Sequence, residues 1–450
     1  MKFFKADMLK GNILKALLLF AIPLFISSIF QQLYDVVNTI VVGNFLGETS
    51  LAAIGASVAI NELLIGFALG VGNGFGIVAA RSYGAGDEDL LKKSVAGSII
   101  IGLAISIIIT LFSRVLLYPL LELLRTPENI IGEAHNYIST MTLFVTISFT
   151  YNLCAGLLRA IGNSIMPLVF LIISSILNVL LGLLLVVRLG YGLQGAATAT
   201  IISQTVLVIL CFIYIYKKTP ILIPKAAHFK ISKELFLELL TQGLSMGLMV
   251  GIVSVGTVIL QFAINGFGYL IMAGHIAARR IGGLCSMPMA SMALALSTFV
   301  SQNKGAGKNE RIGAGVRYAN LFAIFWGIFV AVILFFLAPT LVSSFSGSIE
   351  LDVVENGAMY LRVNAPFYMV LGLLLNLRNS LQGIGEKFIP LISSIIELIV
   401  KILFVIIFIP KLNYFGVIIC EPVIWCLMCA QLAFSFYRIQ RKEEEENLQH

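Results

Sequence analysis

Long hydrophobic runs recur along the chain, and short polar segments separate them. Residues 99–112 and 319–338 are almost continuously apolar, without the alternation of apolar and polar positions that marks β-barrel strands. A helix needs about 20 apolar residues to cross a hydrocarbon core of about 30 Å, and it pairs its own backbone groups. The pattern therefore predicts twelve membrane-spanning helices, near residues 13–42, 51–80, 94–118, 137–158, 165–188, 193–216, 236–265, 270–300, 316–342, 357–380, 388–410 and 414–437.

The composition agrees with a chain that lies mostly in lipid. Hydrophobic residues make up 59% of the 450 residues and charged residues 12%, whereas a soluble domain has about 45–50% and about 25%. The first apolar run is long enough to span and has no small-residue cleavage site, so we expect the first helix to be retained. The histidines and cysteines show no ligand spacing, so the sequence predicts neither a structural metal site nor a cofactor.

The distribution of basic residues predicts the topology. Twelve spans place both termini on one side of the membrane, and 21 lysines and arginines fall on that side. The opposite side has four, namely Arg114, Arg125, Arg188 and Lys411. Because cytoplasmic loops carry the excess of Lys and Arg, we expect a cell-membrane protein with both termini in the cytoplasm. The net charge of +7 is spread over many short loops, which argues against a nucleic-acid partner.

Internal similarity indicates a duplicated architecture. Residues 158–167 resemble residues 381–390 at an offset of 223 (390 − 167), and a Gly-Ala-Gly triplet follows the second span of each half, at 84–86 and 305–307. Several matches at nearly half the chain length are the signature of a repeat. Because each half has six spans, the two repeats have the same orientation in the membrane.

The predicted fold class is an all-α integral membrane protein with about twelve transmembrane helices in two parallel six-helix repeats. The N-lobe would cover residues 1–222 with the first six spans, and the C-lobe would cover residues 223–450 with the last six. A connection rich in lysine and proline, at 217–233, links them. In transporters built from parallel repeats, the substrate site lies near mid-membrane between the halves.

Glycines recur at short spacing in the second span, at positions 66, 70, 72, 74 and 76. A nucleotide phosphate loop would need a GxxxxGK[ST] pattern, which does not accompany them. Small residues at such spacing let helix backbones approach closely, so we predict tight helix packing along this span.

Several motifs resemble those of the multidrug and toxic compound extrusion (MATE) family. Residues 32–43 resemble the family's opening helix, and residues 297–308 resemble its eighth. Residues 360–366, together with 378–385, are similar to its tenth helix. The resemblance covers essentially the whole chain. It implies twelve helices in two lobes around a central cavity, with export driven by a proton or sodium gradient.

The sequence departs from the family pattern at the usual ion site. Members often have Asp where this chain has Asn38, and here an Asp lies three residues earlier, at Asp35. A second family Asp, four residues after the position of Asn178, is Gly182 in this chain. Asp35 and Asn38 share a helix face, so Asp35 either replaces the missing carboxylate or is unrelated to it. The candidate ion-coupling residues are Asp35, Asn38, Asn152 and Asn178, with H⁺ or Na⁺ as the coupling ion and Na⁺ binding near Asp35.

Other polar residues inside the predicted spans complete the candidate set. A charged side chain at mid-bilayer costs at least about 2.5–3.5 kcal/mol, so it should face the protein interior. The polar neighbours of Asp35 form a helix face that could bind a cation or a hydrated proton. Glu397 precedes Lys401 by four residues, which favours either an intrahelical ion pair or a place in the cavity. Arg279, Arg280 and Arg378 would line the cavity or pair with C-lobe carboxylates. The candidate cavity residues are Gln31, Gln32, Tyr34, Glu62, Arg280, Arg378 and Glu397.

We expect the chain to be a secondary multidrug exporter, a monomer in contact with membrane lipids that exchanges amphipathic organic compounds for H⁺ or Na⁺. A flippase for a lipid-linked saccharide is an alternative within transport, and it would need a larger, more cationic cavity and often extra helices. An intramembrane enzyme is disfavoured, because the chain has no HExxH motif and no His-rich constellation.

Overall fold

The computed structural model describes residues 7–123 and 126–448, and every regular element within them is helical. The α-helices are α1 Ile13–Leu46, α2 Glu48–Gly84, α3 Glu88–Leu123, α4 Glu128–Leu143, α5 Val145–Ala160, α6 Ile165–Gly182, α7 Gly192–Lys218, α8 Lys233–Asn265, α9 Tyr269–Gly305, α10 Asn309–Ser346, α11 Leu351–Asn364, α12 Tyr368–Ile384, α13 Phe388–Leu403, α14 Ile409–Leu412 and α15 Tyr414–Leu448. The predicted all-α fold class is confirmed. Lys2, Lys5 and Arg125, which contribute to the predicted topology, lie outside the described residues.

The described helices account for the predicted number of spans. Eleven helical segments are long and apolar enough to cross a membrane, and the bent pair α4 and α5 makes a twelfth. The predicted fourth span, at 137–158, is wrong in detail, because its helix begins earlier, at Glu128, and bends by 47° at Phe144. The hydroxyl of Thr110 on α3 lies 3.3 Å from the carbonyl oxygen of Thr142, next to this break, and shares its proton between that oxygen and the carbonyl of Ser106 at 2.9 Å. A carbonyl bonded from outside its helix is one of the recognised causes of a kink.

Both halves of the sequence repeat the same irregularities. The short 3-10 turn Ala365–Phe367 separates α11 from α12, just as Phe144 separates α4 from α5, and α11 begins 223 residues after α4 (351 − 128). π-Helical segments continue α6 at Leu183–Arg188 and α13 at Phe404–Phe408. The predicted repeat therefore includes the helix interruptions as well as the spans.

Contacts divide the chain into two compact units. Within the described residues the first unit comprises 7–9, 22–251 and 301–307, and the second unit comprises 10–21, 252–300 and 308–448. Helices α1, α8 and α9 therefore contribute residues to both units. The predicted lobes, 1–222 and 223–450, remain a division drawn from the sequence repeat.

Glycines on α2 permit close packing inside the first unit, as predicted. A Cβ atom on Gly70 would lie 2.6 Å from the carbonyl oxygen of Met246, and one on Gly74 would lie 2.7 Å from that of Gln242. Gly76 lies on another face of α2, where a Cβ would be 3.3 Å from the carbonyl oxygen of Gly156. α2 thus packs backbone to backbone against both α8 and α5, which only small residues allow.

The two Gly-Ala-Gly triplets meet in the first unit, where the end of α2 crosses the end of α9. A Cβ on Gly84 would clash with the carbonyl oxygen of Gln302, and one on Gly305 would clash with that of Arg81. The last glycine of each triplet has a positive φ, 72° at Gly86 and 68° at Gly307, which a residue with a side chain adopts reluctantly. Each triplet therefore combines a close helix crossing with a glycine helix terminus.

Candidate ion-coupling site

A hydrogen-bonded cluster joins α1, α6 and α7 inside the first unit. The hydroxyl groups of Tyr34 and Thr200 lie 3.0 Å apart, and the amide nitrogen of Asn178 donates to the Thr200 hydroxyl at 3.2 Å. Tyr34 is also hydrogen bonded to the side chain of Asn38, one turn further along α1. We call Tyr34, Asn38, Asn178 and Thr200 the amide–hydroxyl cluster. It contains two of the four predicted ion-coupling residues.

One acceptor of this cluster has no partner. Asn178 is only 1% exposed, and within the described chain its side-chain oxygen accepts no hydrogen bond. A buried polar atom without a partner is destabilising by about 1–3 kcal/mol, so such atoms are rare in folded proteins. Other buried amides of the described chain, such as Asn364 and Asn376, also have an oxygen without a partner, but that of Asn178 belongs to a cluster beside Asp35, where a proton donor or a cation could bind it.

Asp35 lies beside the cluster on α1, and its side chain is exposed. Its carboxylate makes no hydrogen bond or salt bridge with any described residue, although it interacts electrostatically with Tyr34 and with Tyr137 of α4. The carboxylate is therefore free to accept a proton or a cation. Gln31 and Gln32 are also exposed on the same helix.

The remaining N-lobe candidates lie apart from these contacts. Asn152 donates its amide to the carbonyl of Ser148 on its own helix at 2.9 Å, and it packs against Gly72 of α2. Glu62 is exposed and forms no ion pair within the described residues. Gly182 is buried, yet a Cβ built there would meet nothing within 4 Å. A Cβ atom would therefore fit at this position, although glycine has none.

A buried ion cluster occupies the second unit. The ammonium of Lys401 lies 2.8 Å from the carboxylate of Glu397 and 3.6 Å from that of Glu421, and its side chain is 2% exposed. The predicted ion pair between residues 397 and 401 is confirmed. Gly256 of α8 makes room for the lysine, since a Cβ there would lie 3.0 Å from its Cδ. We call Glu397, Lys401 and Glu421 the lysine–carboxylate triad.

The predicted arginines differ in their surroundings. The guanidinium of Arg378 donates to the hydroxyl of Ser393 at 2.9 Å and interacts electrostatically with Glu397, so it supports α13 next to the triad. Arg280 is exposed and has no ion-pair partner among the described residues. Its neighbour Arg279 interacts electrostatically with Lys401, and the sequence did not distinguish the two arginines.

A serine-hydrolase pattern in the sequence has no catalytic geometry. Residues 243–247 spell Gly-x-Ser-x-Gly, but they lie in the middle of α8 and not at a strand-to-helix turn, which a nucleophile elbow requires. A Cβ on Gly243 would lie 2.7 Å from the ring of Phe75, and one on Gly247 would lie 2.9 Å from that of Phe67. The two glycines therefore serve helix packing.

Comparison with known families decides the class of protein. A family model described as MatE matches the chain twice, over residues 23–184 and 246–407. The chain belongs to the MATE family of transporters. The two matches begin 223 residues apart (246 − 23), which is the offset of the predicted repeat. Two repeated halves are thereby confirmed for this MATE transporter.

Its relatives are proteins named for drug resistance or export. It is 25% identical over 446 residues to the probable multidrug resistance protein YoeA of Bacillus subtilis strain 168, covering 97% of this chain and 96% of the relative. It is 23% identical to the multidrug export protein MepA of Staphylococcus aureus strain MSSA476, covering 94% and 92% of the two chains.

Solved MATE structures share its fold over nearly the whole chain. An outward-facing multidrug resistance MATE family transporter of the MOP superfamily gives a TM-score of 0.89 at 24% identity, covering 97% of this chain and 98% of that one. A MATE structure in a bent conformation gives a TM-score of 0.88 at the same identity and coverage.

The family repeat relates the two polar clusters of this MATE transporter. Asn178 and Lys401 lie at the same offset of 223 residues as the two family matches, and so do Tyr137 and Tyr360. Tyr360 interacts electrostatically with Glu421 of the triad, as Tyr137 does with Asp35. Corresponding helix positions therefore hold an amide in one unit and an ammonium in the other.

Proposed function

We propose that this MATE transporter is a secondary exporter of amphipathic organic compounds, coupled to the entry of H⁺ or Na⁺ through Asp35. It would act as a monomer in the cell membrane, with both termini in the cytoplasm. The observation that carries the proposal is the unpaired carboxylate of Asp35 beside the amide–hydroxyl cluster, in which Asn178 has an orphaned oxygen. The names of the curated relatives support export of several drugs over transport of a single nutrient.

The chemistry of these groups suits a small cation. A bare carboxylate inside a membrane is unfavourable, and binding H⁺ or Na⁺ would neutralise it. Transporters commonly hold such ions with oxygen atoms near mid-membrane, and the cluster offers the side-chain oxygens of Asn178 and Thr200. A ligand shifts a conformational equilibrium only by binding one state more tightly than the other. Neutralisation of Asp35 would supply that difference.

Transport driven by an ion gradient is testable in proteoliposomes. We expect dye efflux when either a proton or a sodium gradient is imposed separately, and the effective gradient identifies the coupling ion. Asp35→Asn should lower gradient-driven efflux to that of empty liposomes, because it removes the carboxylate that would gain and lose charge beside the amide–hydroxyl cluster. Asp352→Asn is the matched control, since Asp352 is exposed in the first turn of α11 and lies outside both polar clusters.

Two further variants separate this proposal from its competitors. The exchange of Asp35→Asn with Asn38→Asp recreates the family arrangement on α1, so we expect it to restore part of the efflux. Normal transport by Asp35→Asn together with loss in Glu62→Gln or Glu397→Gln would place the coupling site elsewhere. In cells, an ionophore should stop efflux while ATP is maintained. Efflux that persists under those conditions would indicate a partner ATPase.

A flippase for lipid-linked saccharides is the competing function. The twelve spans favour the exporter, because that flippase often has extra helices. Transport by the same proteoliposomes of a lipid-linked saccharide, and not of dyes, would reverse this choice.

A further inference from the structure

An apolar cavity of about 440 Å³ lies in the first unit, among α3, α5, α7 and the connection that follows α7. Sites that bind small molecules usually enclose about 300–1,000 Å³ and hold a few polar groups that fix the ligand. Here Thr150 and Tyr216 contribute the only hydroxyl groups of the lining. The hydroxyl of Thr150 already donates to the carbonyl of Thr146 at 2.7 Å. The cavity therefore suits a ligand that needs almost no hydrogen bonds.

The cavity is elongated along the axis of α3. On α3 it is lined by Val95, Ile99 and Leu103, which are spaced by four residues and form one stripe. Eight residues of helix rise about 12 Å. One leaflet of a bilayer has a hydrocarbon thickness of about 15 Å, half of the total core. A stripe of this length matches an extended acyl chain lying beside the helix.

The cavity opens to the lipid-facing surface. Leu103, Phe212 and Tyr216 line it and are 44%, 52% and 76% exposed on helices that span the membrane. Tyr216 lies two residues before the end of α7, where an amphipathic ring is favoured at the membrane–water boundary. Phe212 lies one turn deeper. A lipid could therefore enter sideways from the bilayer.

Three exposed lysines lie next to lining residues along the chain, at the end of the cavity where α7 terminates. Lys217 and Lys218 end α7, and Lys225 follows Pro224 of the lining. All three are exposed and none forms a salt bridge within the described chain, although Lys225 interacts electrostatically with Glu88 at the start of α3. Basic groups at the ends of transmembrane helices attract anionic lipid headgroups. They would repel the cationic end of a basic drug.

We propose that this cavity is a specific binding site for one anionic phospholipid. One acyl chain fills the apolar slot between α3 and α7, and the phosphate pairs with Lys217, Lys218 and Lys225. The site lies within the first unit and uses none of the residues of the amide–hydroxyl cluster. It therefore stands whether or not Asp35 couples ions.

Native mass spectrometry of the full chain in mild detergent tests the headgroup. Wild type should retain one phosphatidylglycerol in preference to phosphatidylcholine with the same acyl chains. The double variant Lys217→Gln with Lys218→Gln should bind phosphatidylglycerol roughly 30-fold more weakly, since each lysine near an anionic headgroup contributes about a factor of five. Lys230→Gln with Lys233→Gln is the matched control, because it removes the same charge six and nine residues beyond Pro224, the last lining residue, whereas Lys217 directly follows the lining residue Tyr216. Equal retention of both lipids by wild type, or equal loss in both double variants, would overturn the proposal.

A second pair of variants tests the acyl-chain slot. Ile99→Trp places a larger side chain inside the slot and should reduce retention of phosphatidylglycerol to that of phosphatidylcholine. Ile100→Trp changes the next residue, which is 40% exposed and lies outside the lining, and it should bind as wild type does. Thermal unfolding checks that both variants are folded. Should Ile99→Trp fail that check, the lysine pair decides alone, since its side chains are exposed. Retention that is equal in folded Ile99→Trp and Ile100→Trp would show that the chain binds elsewhere.

Discussion

Replacement of Lys401 by methionine should strongly destabilise the protein. The lysine side chain is 2% exposed and stands 2.8 Å and 3.6 Å from two carboxylates, so its removal takes away the ammonium that Glu397 and Glu421 share and leaves Arg378 as the nearby cation of Glu397. Removing one partner of a buried ion pair costs about 3–5 kcal/mol. That is a large share of a total stability of about 5–15 kcal/mol. Methionine keeps most of the stem of the side chain, so the loss should reflect charge and not a cavity.

Denaturant unfolding in detergent would measure this loss as a change in the free energy of unfolding. Lys411→Met is the matched control, because Lys411 is exposed and such substitutions change stability by about 0.5 kcal/mol or less. The double variant Lys401→Met with Glu397→Gln should be more stable than Lys401→Met alone, since it removes one of the two carboxylates that would otherwise repel each other. A loss below about 1 kcal/mol for Lys401→Met would refute the reasoning, because it would mean that the charges of Glu397 and Glu421 do not depend on the lysine for compensation.

Two further predictions concern topology and packing. The topology is tested in a background in which the exposed Cys426 is replaced by Ser. A cysteine introduced at Ile349, which is 94% exposed, should react with an impermeant thiol reagent from outside, whereas one introduced at Ala226 should react only after permeabilisation. The reverse labelling pattern would show that the predicted topology is inverted. Gly70→Ala should lower stability by about 1–3 kcal/mol through overpacking against α8. Gly132→Ala, with nothing within 4 Å of its Cβ, should be neutral or stabilising by about 0.5–1 kcal/mol; equal effects would contradict the packing.

The spans and the repeat could be predicted from sequence because both arise from local composition. Helices in lipid must pair their own backbone groups, so each apolar run of sufficient length is one span. The break at Phe144 could not be predicted, because nothing in the local sequence around Phe144 marks it. The contact beside the break comes from another helix: the hydroxyl of Thr110 lies 3.3 Å from the carbonyl oxygen of Thr142.

The candidate site shows the same limit. The pair of Glu397 and Lys401 follows from spacing on one helix, and it was predictable. The contact of Lys401 with Glu421 joins two different helices, and the partner of Tyr34, Thr200, lies 166 residues away. Thr200 is a small polar residue in an apolar run, a common pattern that gave no signal of its own. Such contacts depend on tertiary packing, which one sequence without an alignment does not reveal.

The crossing of α2 and α9 places a shared constraint on the evolution of the two halves. Gly84 and Gly305 come from different copies of the repeat, yet the backbone of the other helix keeps each of them small. A larger residue at either position would push the same two helices apart, and the second change would then add little to the damage, because contacting sites are not additive. Selection therefore acts on the two glycines jointly and not on each position separately. Substitution of one glycine should be tolerated only in lineages in which the other glycine has already been replaced.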